Sequence, residues 1–284
     1  MRQIVRDLSV FVVPAVLSLS TAACVDISAG EARYIDTVEK RFTVSGAPSI
    51  DVSTFDGSVD VATWDRPEVL VVIEKHAVDK AAADRMVVTA EQDGDAVHVK
   101  VREQQREPGL HVNFGSHSAR ITVTVPARAR IEAQTGDGRV SVRNVEGDLR
   151  VRTGDGAIHL EQVNGSIDAT SGDGAIDIEG AVRRLSARSG DGRVRIHATA
   201  PPSADWNLAT GDGSVLLEVP EGFGAELDAS TGDGRVEVRD VPFSGETDGR
   251  DRSSARGRIG NGGANISIRS GDGVITIRRG SAAS

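Results

Sequence analysis

Between residues 130 and 279 apolar and polar positions alternate in short runs, and the same two runs keep returning. The first carries Ile131/Ala133, Leu149/Val151, Ile167/Ala169, Leu185/Ala187, Trp206/Leu208, Leu227/Ala229 and Ile266/Ile268 at alternate positions. The second carries Val140/Val142, Ile158/Leu160, Ile176/Ile178, Val194/Ile196, Val215/Leu217, Val236/Val238 and Ile275/Ile277 in the same way. A period of two predicts half-buried strands, two per repeat. Between the runs stands Thr/Ser-Gly-Asp-Gly, seven times, beginning at Thr135, Thr153, Ser171, Ser189, Thr210, Thr231 and Ser270, in steps of 18, 18, 18, 21, 21 and 39 residues. Steps this short predict stacked units, because one unit cannot bury its own apolar side.

Two all-β folds fit. Asp-Gly between alternating runs is a hairpin signal and would give an antiparallel β-meander. A β-solenoid, a single-stranded β-helix-like stack of coils of about 18 residues, explains more. Each strand then lies on its own copy in the next coil, so the columns must match. A meander imposes no such rule. About four apolar side chains per coil offer roughly 6–12 kcal/mol, against a backbone cost of about 1–2 kcal/mol per residue, so a lone coil does not fold.

The corners are Gly136-Asp137-Gly138, Gly154-Asp155-Gly156, Gly172-Asp173-Gly174, Gly190-Asp191-Gly192, Gly211-Asp212-Gly213, Gly232-Asp233-Gly234 and Gly271-Asp272-Gly273. The expectation is structural: each Asp accepts from its own turn's amides, the glycines take positive φ, and the preceding hydroxyl closes the corner. The competing reading is a cation ladder of carboxylates about 4.8 Å apart, but calcium repeats order their glycines and aspartates differently. The outward rows, among them His159 and His197, mix both charge signs and predict a solvated surface.

Insertions concentrate at the opposite corner, at 200–204, 220–224 and 241–263, and the last contains a polar loop at 244–263. Phe223, Phe243, Arg250, Arg252, Arg256 and Arg258 fall there and are the candidate binding residues. Capping of the stack is the alternative role for these side chains.

Upstream, a basic start, an apolar stretch from Leu8 to Leu19 and small residues before Cys24 read as a signal peptide over 1–23. Cys24 is the single cysteine, and after Thr-Ala-Ala it predicts a lipidated N-terminus; ordinary cleavage after Ala23 stays open. Residues 24–41 read as a polar tether and 42–126 as irregular β coils, with a short helix over Asp79–Met86 and a loop from Gln104 to His117. The regular solenoid runs 127–280, and 281–284 form a tail.

A net charge of −9, with basic residues interleaved among acids, argues against nucleic acid as a partner. No cofactor motif, metal-ligand spacing or catalytic constellation occurs, so no catalytic or metal residue is assigned. A carbohydrate-active parallel β-helix enzyme, lyase or glycosidase, is the alternative, yet it needs paired carboxylates that break the repeat. The chain is also 3% aromatic, too few rings for the aromatic-lined groove that such enzymes usually carry.

Thr-Gly-Asp-Gly with alternating strands, Val125-Pro126 ahead of the first copy, and Asn261-Gly-Gly-Ala-Asn-Ile-Ser-Ile-Arg-Ser-Gly-Asp-Gly273 at the close resemble the DUF4097 family over residues 42–279. The resemblance implies a bacterial envelope protein built of β-strand repeats, adhesin-like, with no catalytic residues to carry over. The expected function is therefore a non-catalytic, exported scaffold or binding protein. It would be held to the membrane by the N-terminal lipid, with an envelope protein or polysaccharide as partner.

Overall fold

Alternation becomes strand wherever it was read. The computed structural model describes residues 34–104, 117–248 and 252–280, and over them the chain is all-β apart from the helix Lys80–Asp84. Asp79 caps that helix, accepting from the Ala82 amide at 2.7 Å, as a carboxylate at this position should.

Repeat units pair in parallel, not as hairpins. Leu149 lies opposite Ile131 on one side and Ile167 on the other, and Ile158 lies between Val140 and Ile176. Each unit forms a rung: a first strand, the Gly-Asp-Gly corner, then a second strand. First strands make one layer and second strands the other, and both bury their alternate side chains in one core. At the opposite corner the chain continues as strand in two rungs, Ile158–Ser171 and Ile176–Ser189. There Val145, Val163 and Val182 add a further buried column.

Chain order and spatial order separate at both ends. Ile266 lies between Trp206 and Leu227, and Ile275 between Val215 and Val236. The rung at 265–279 is thus inserted between those at 206–219 and 225–239. At the other end the 49–64 rung lies between 130–143 and a rung made of Ala96–Glu103 and Ser118–Pro126. The column of corner aspartates therefore runs Asp212, Asp272, Asp233.

Antiparallel strands terminate the stack. Tyr34–Thr43 pairs with Glu68–Ala77 and Met86–Asp93 with Ala96–Glu103, while Phe243–Thr247 pairs with Ser254–Ile259 at the other end. Two expectations change here. Residues 34–41, read as tether, are strand, and much of the polar loop at 244–263 is a β-hairpin. Its alternation was hidden because Ala255 and Ile259 are the members fully buried. Antiparallel caps of this kind cover edges that would otherwise template further pairing.

Candidate functional site

The invariant edge is built on close approach. None of the seven corner pairs takes a positive φ, whereas Gly147, Gly165 and Gly180 at the opposite corner do. The expectation of left-handed glycines at Gly-Asp-Gly is thereby corrected. A Cβ on Gly156 would stand 1.9 Å from the Gly138 carbonyl oxygen, and one on Gly174 1.9 Å from that of Gly156. Rung-on-rung contact at van der Waals distance leaves no volume for a side chain.

The hydroxyls, not the carboxylates, close the corner. Ser171 Oγ donates to the Gly156 carbonyl of the adjacent rung at 2.9 Å and accepts from its own rung's Gly174 amide at 3.0 Å. Thr153, Ser189, Thr210, Ser270 and Thr231 make the equivalent donation to Gly138, Gly174, Gly192, Gly213 and Gly273. Among the described corner aspartates only Asp56, in the early corner, accepts from its turn, from the Gly57 amide at 2.6 Å. The repeat aspartates are exposed, which corrects the reading of them as amide acceptors. Among the described residues no group of three or more carboxylate, imidazole or thiol side chains is placed to hold a metal.

The variable edge holds most of the residues proposed for binding, but not as exposed anchors. Phe223 is 3% exposed and its ring meets buried Trp206 at 6.1 Å between centroids. A side chain in the core cannot reach a partner, so Phe223 is removed from the candidates. Phe243 is half-buried against the core. Arg256 pairs with Asp228 at 3.1 Å and Arg258 with Glu226 at 3.4 Å. Arg252 is exposed with φ of 51°; Arg250 and Cys24 lie outside the described residues. A cleft of 380 Å³ opens at this edge, with Phe223, Val241, Pro242 and Arg279 in its walls.

A larger groove, 510 Å³, crosses the outer face of the first-strand layer. Four arginines, Arg130, Arg150, Arg184 and Arg188, line it with Glu132, Asp148 and Asp168. Arg150 lies between Glu132 and Asp168 at 3.8 and 3.7 Å, and Arg130 faces Asp148 at 3.5 Å. Arg184 has no hydrogen-bond or ion-pair partner among the described residues, and Arg188 bonds only to the Ser186 hydroxyl, at 2.5 Å. Small Ser166 and Ser186 form the floor between them. Period-two alternation, applied to the outward positions, would have found this face.

Near the C-terminal end of the stack some arginines are neutralised in place. Asp228 is held below the ordinary carboxylate range, first by a hydrogen bond from Arg269 and then by Arg256. Glu237 is lowered likewise, chiefly by the hydrogen bond from Arg235 with Arg239 adding its charge.

One outward row brings together the residue types of acyl transfer. Ser141, His159 and Asp177 stand side by side on neighbouring rungs, with His159 Nδ1 3.4 Å from Asp177 Oδ2. Ser141 is 5% exposed and makes no hydrogen bond to His159, and flat sheet supplies no converging amides for an oxyanion. The arrangement lacks the contacts that the chemistry requires.

The chain is similar to several solved structures. A cell adhesion protein candidate from Clostridium sporogenes is 14% identical, with 87% of this chain and 100% of that one covered at a TM-score of 0.41. An adhesin candidate from Bacteroides fragilis is 13% identical, with 85% and 97% covered at 0.48. A lipid binding protein candidate from Parabacteroides distasonis is 11% identical, with 85% and 96% covered at 0.31. No curated protein matches the chain. The family model described as Toastrack DUF4097 matches twice, over residues 49–182 and 148–278, and the chain belongs to that family.

Proposed function

We propose that this chain is a non-catalytic binding protein of the bacterial envelope, a β-solenoid held at a membrane through Cys24, and that its ligand is an acidic polysaccharide. The observation that carries the reading is the groove: Arg184 and Arg188 stand in it without a carboxylate partner, in a protein of net charge −9. The two lie on one strand four residues apart, about 13 Å along it, a separation suited to successive acidic units of an extended chain. Guanidinium forks recognise carboxylates in two-point contact. No helix among the described residues is long and apolar enough to cross a membrane; the proposed attachment is the lipid on Cys24. Polysaccharide is favoured over an envelope protein because charged side chains rim the groove and no aromatic side chain lines it as an anchor.

Titration with polygalacturonate, using dextran as the neutral control, tests the reading. Arg184→Glu/Arg188→Glu should weaken uronate binding at least tenfold, and raised salt should weaken the wild type. Equal binding of dextran, or unchanged affinity in the double variant, would remove the groove from consideration.

A further inference from the structure

The rung at 265–279 occupies a slot whose walls come from earlier chain. Its first strand pairs with Trp206–Thr210 and Ala225–Thr231, and its second with Val215–Val219 and Val236–Arg239. Its hydroxyl ladder is complete on both sides: Ser270 donates to Gly213, and Thr231 donates to Gly273, each at 2.9 Å. Because every rung presents the same columns and the same corner, these contacts do not distinguish one copy of the rung from another. The link that delivers it, Gly260-Asn261-Gly262-Gly263-Ala264, contains three glycines with φ of 56°, 77° and 145°. Such a link can be re-routed without strain in any β-branched or bulky residue.

We infer that the slot between the 206–219 and 225–239 rungs also accepts the 265–279 rung of a second copy of this chain, giving a rung-exchanged dimer. Exchange preserves every contact inside the slot. Its cost is confined to the hinge and to the loss of independent motion of two chains, which makes concentration the controlling variable. A competing state exists in each open copy. Thr210 and Thr231 are 21 residues apart, as Ser189 and Thr210 are, so the slot walls can close on each other in register. A brief opening therefore leads to reclosure at low concentration and to exchange at high concentration.

The test uses the full chain carrying Cys24→Ser, so that introduced thiols are the only ones. Asn207 and Ser267 are register partners across the slot, both outside the core, at a spacing that a disulfide can bridge. A copy with Asn207→Cys is mixed with a copy with Ser267→Cys at high concentration, warmed below the melting midpoint, cooled and oxidised. The expected result is at least tenfold more disulfide-linked heterodimer than from Asn207→Cys mixed with Ser203→Cys, whose thiol lies at the variable edge. The linked dimer should melt with the wild-type midpoint. Placing both thiols in one copy and oxidising it first should lock the rung and suppress exchange at least tenfold between differently tagged copies. Heterodimer no more abundant than in the control pair, or exchange undiminished by the lock, would overturn the inference.

Discussion

Within 130–219 each rung stacks on the one before it in the chain; at both ends it does not. The middle extends by simple succession, so each new rung has one finished neighbour and one waiting for the next. At the ends the last rung and an early rung are embedded, each gripped on two sides, and antiparallel strands cover what lies outside them. A solenoid with strictly sequential rungs would leave its terminal rung half-paired and prone to fray. Here the segments that would fray are interior, and the outermost positions go to antiparallel strands.

The sharpest probe of this equivalence is steric. Gly174→Val in the middle and Gly273→Val at the embedded rung place Cβ 1.9 Å and 1.8 Å from a neighbouring carbonyl oxygen. Both should cost more than about 4 kcal/mol or prevent folding; a mild effect at Gly273 alone, in urea unfolding, would show a loose end rung. Next, Ile268→Ala should cost about as much as Ile167→Ala, roughly 2–5 kcal/mol each, since they are 0% and 3% exposed. A loss under about 1 kcal/mol at Ile268 would mean that the terminal segment frays after all.

Removing a corner hydroxyl comes third. Ser171→Ala leaves the Gly174 amide without its acceptor and should cost about 1–3 kcal/mol, while Asp173→Asn should change the stability by less than about 0.5 kcal/mol. Calcium should shift neither melting curve. The smallest effect is electrostatic and belongs to the end. Arg235 and Arg239 lower the Glu237 carboxyl from 4.5 in the folded chain, so its contribution is full above the unfolded value and disappears as pH falls through the depressed one. Glu237→Gln should therefore flatten the fall of melting temperature below about pH 4.5 relative to wild type.

Column matching made the parallel stacking legible in the sequence, because a Val, Ile or Leu every second position at an 18-residue step has one economical arrangement. The same matching concealed the transposed ends. With Leu227 and Ile266 both acceptable beside Trp206, no residue pattern says which sits there, and the 39-residue step looks like an insertion. The corner glycines were read for the wrong physical reason, since sequence shows that a side chain is absent but not whether φ or a neighbouring carbonyl excludes it. Phe223 looked like an anchor by its position in a loop; its contact with Trp206 is long-range and carries no local signature. The outward face carrying the arginine groove follows from alternation, but which of its charges find partners depends on the register across four rungs.

The hydroxyl ladder has a consequence for how such a chain can be edited. Its joint has the same form whether the two rungs are 15 residues apart, as at Ser171 and Gly156, 57 apart at Ser270 and Gly213, or 78 apart at Thr135 and Gly57. Each rung brings one plug and one socket, both made from its own corner, and neither depends on what loop leads to it. Excising 18 residues such as 154–171 would remove the plug at Ser171 together with its socket at Gly156, keep Thr153 on Gly138 and Ser189 on Gly174, and leave no fitting unmatched. Length in this architecture is a genetic variable set by copying or losing cassettes, while the direction in which every plug points stays constant from one cap to the other.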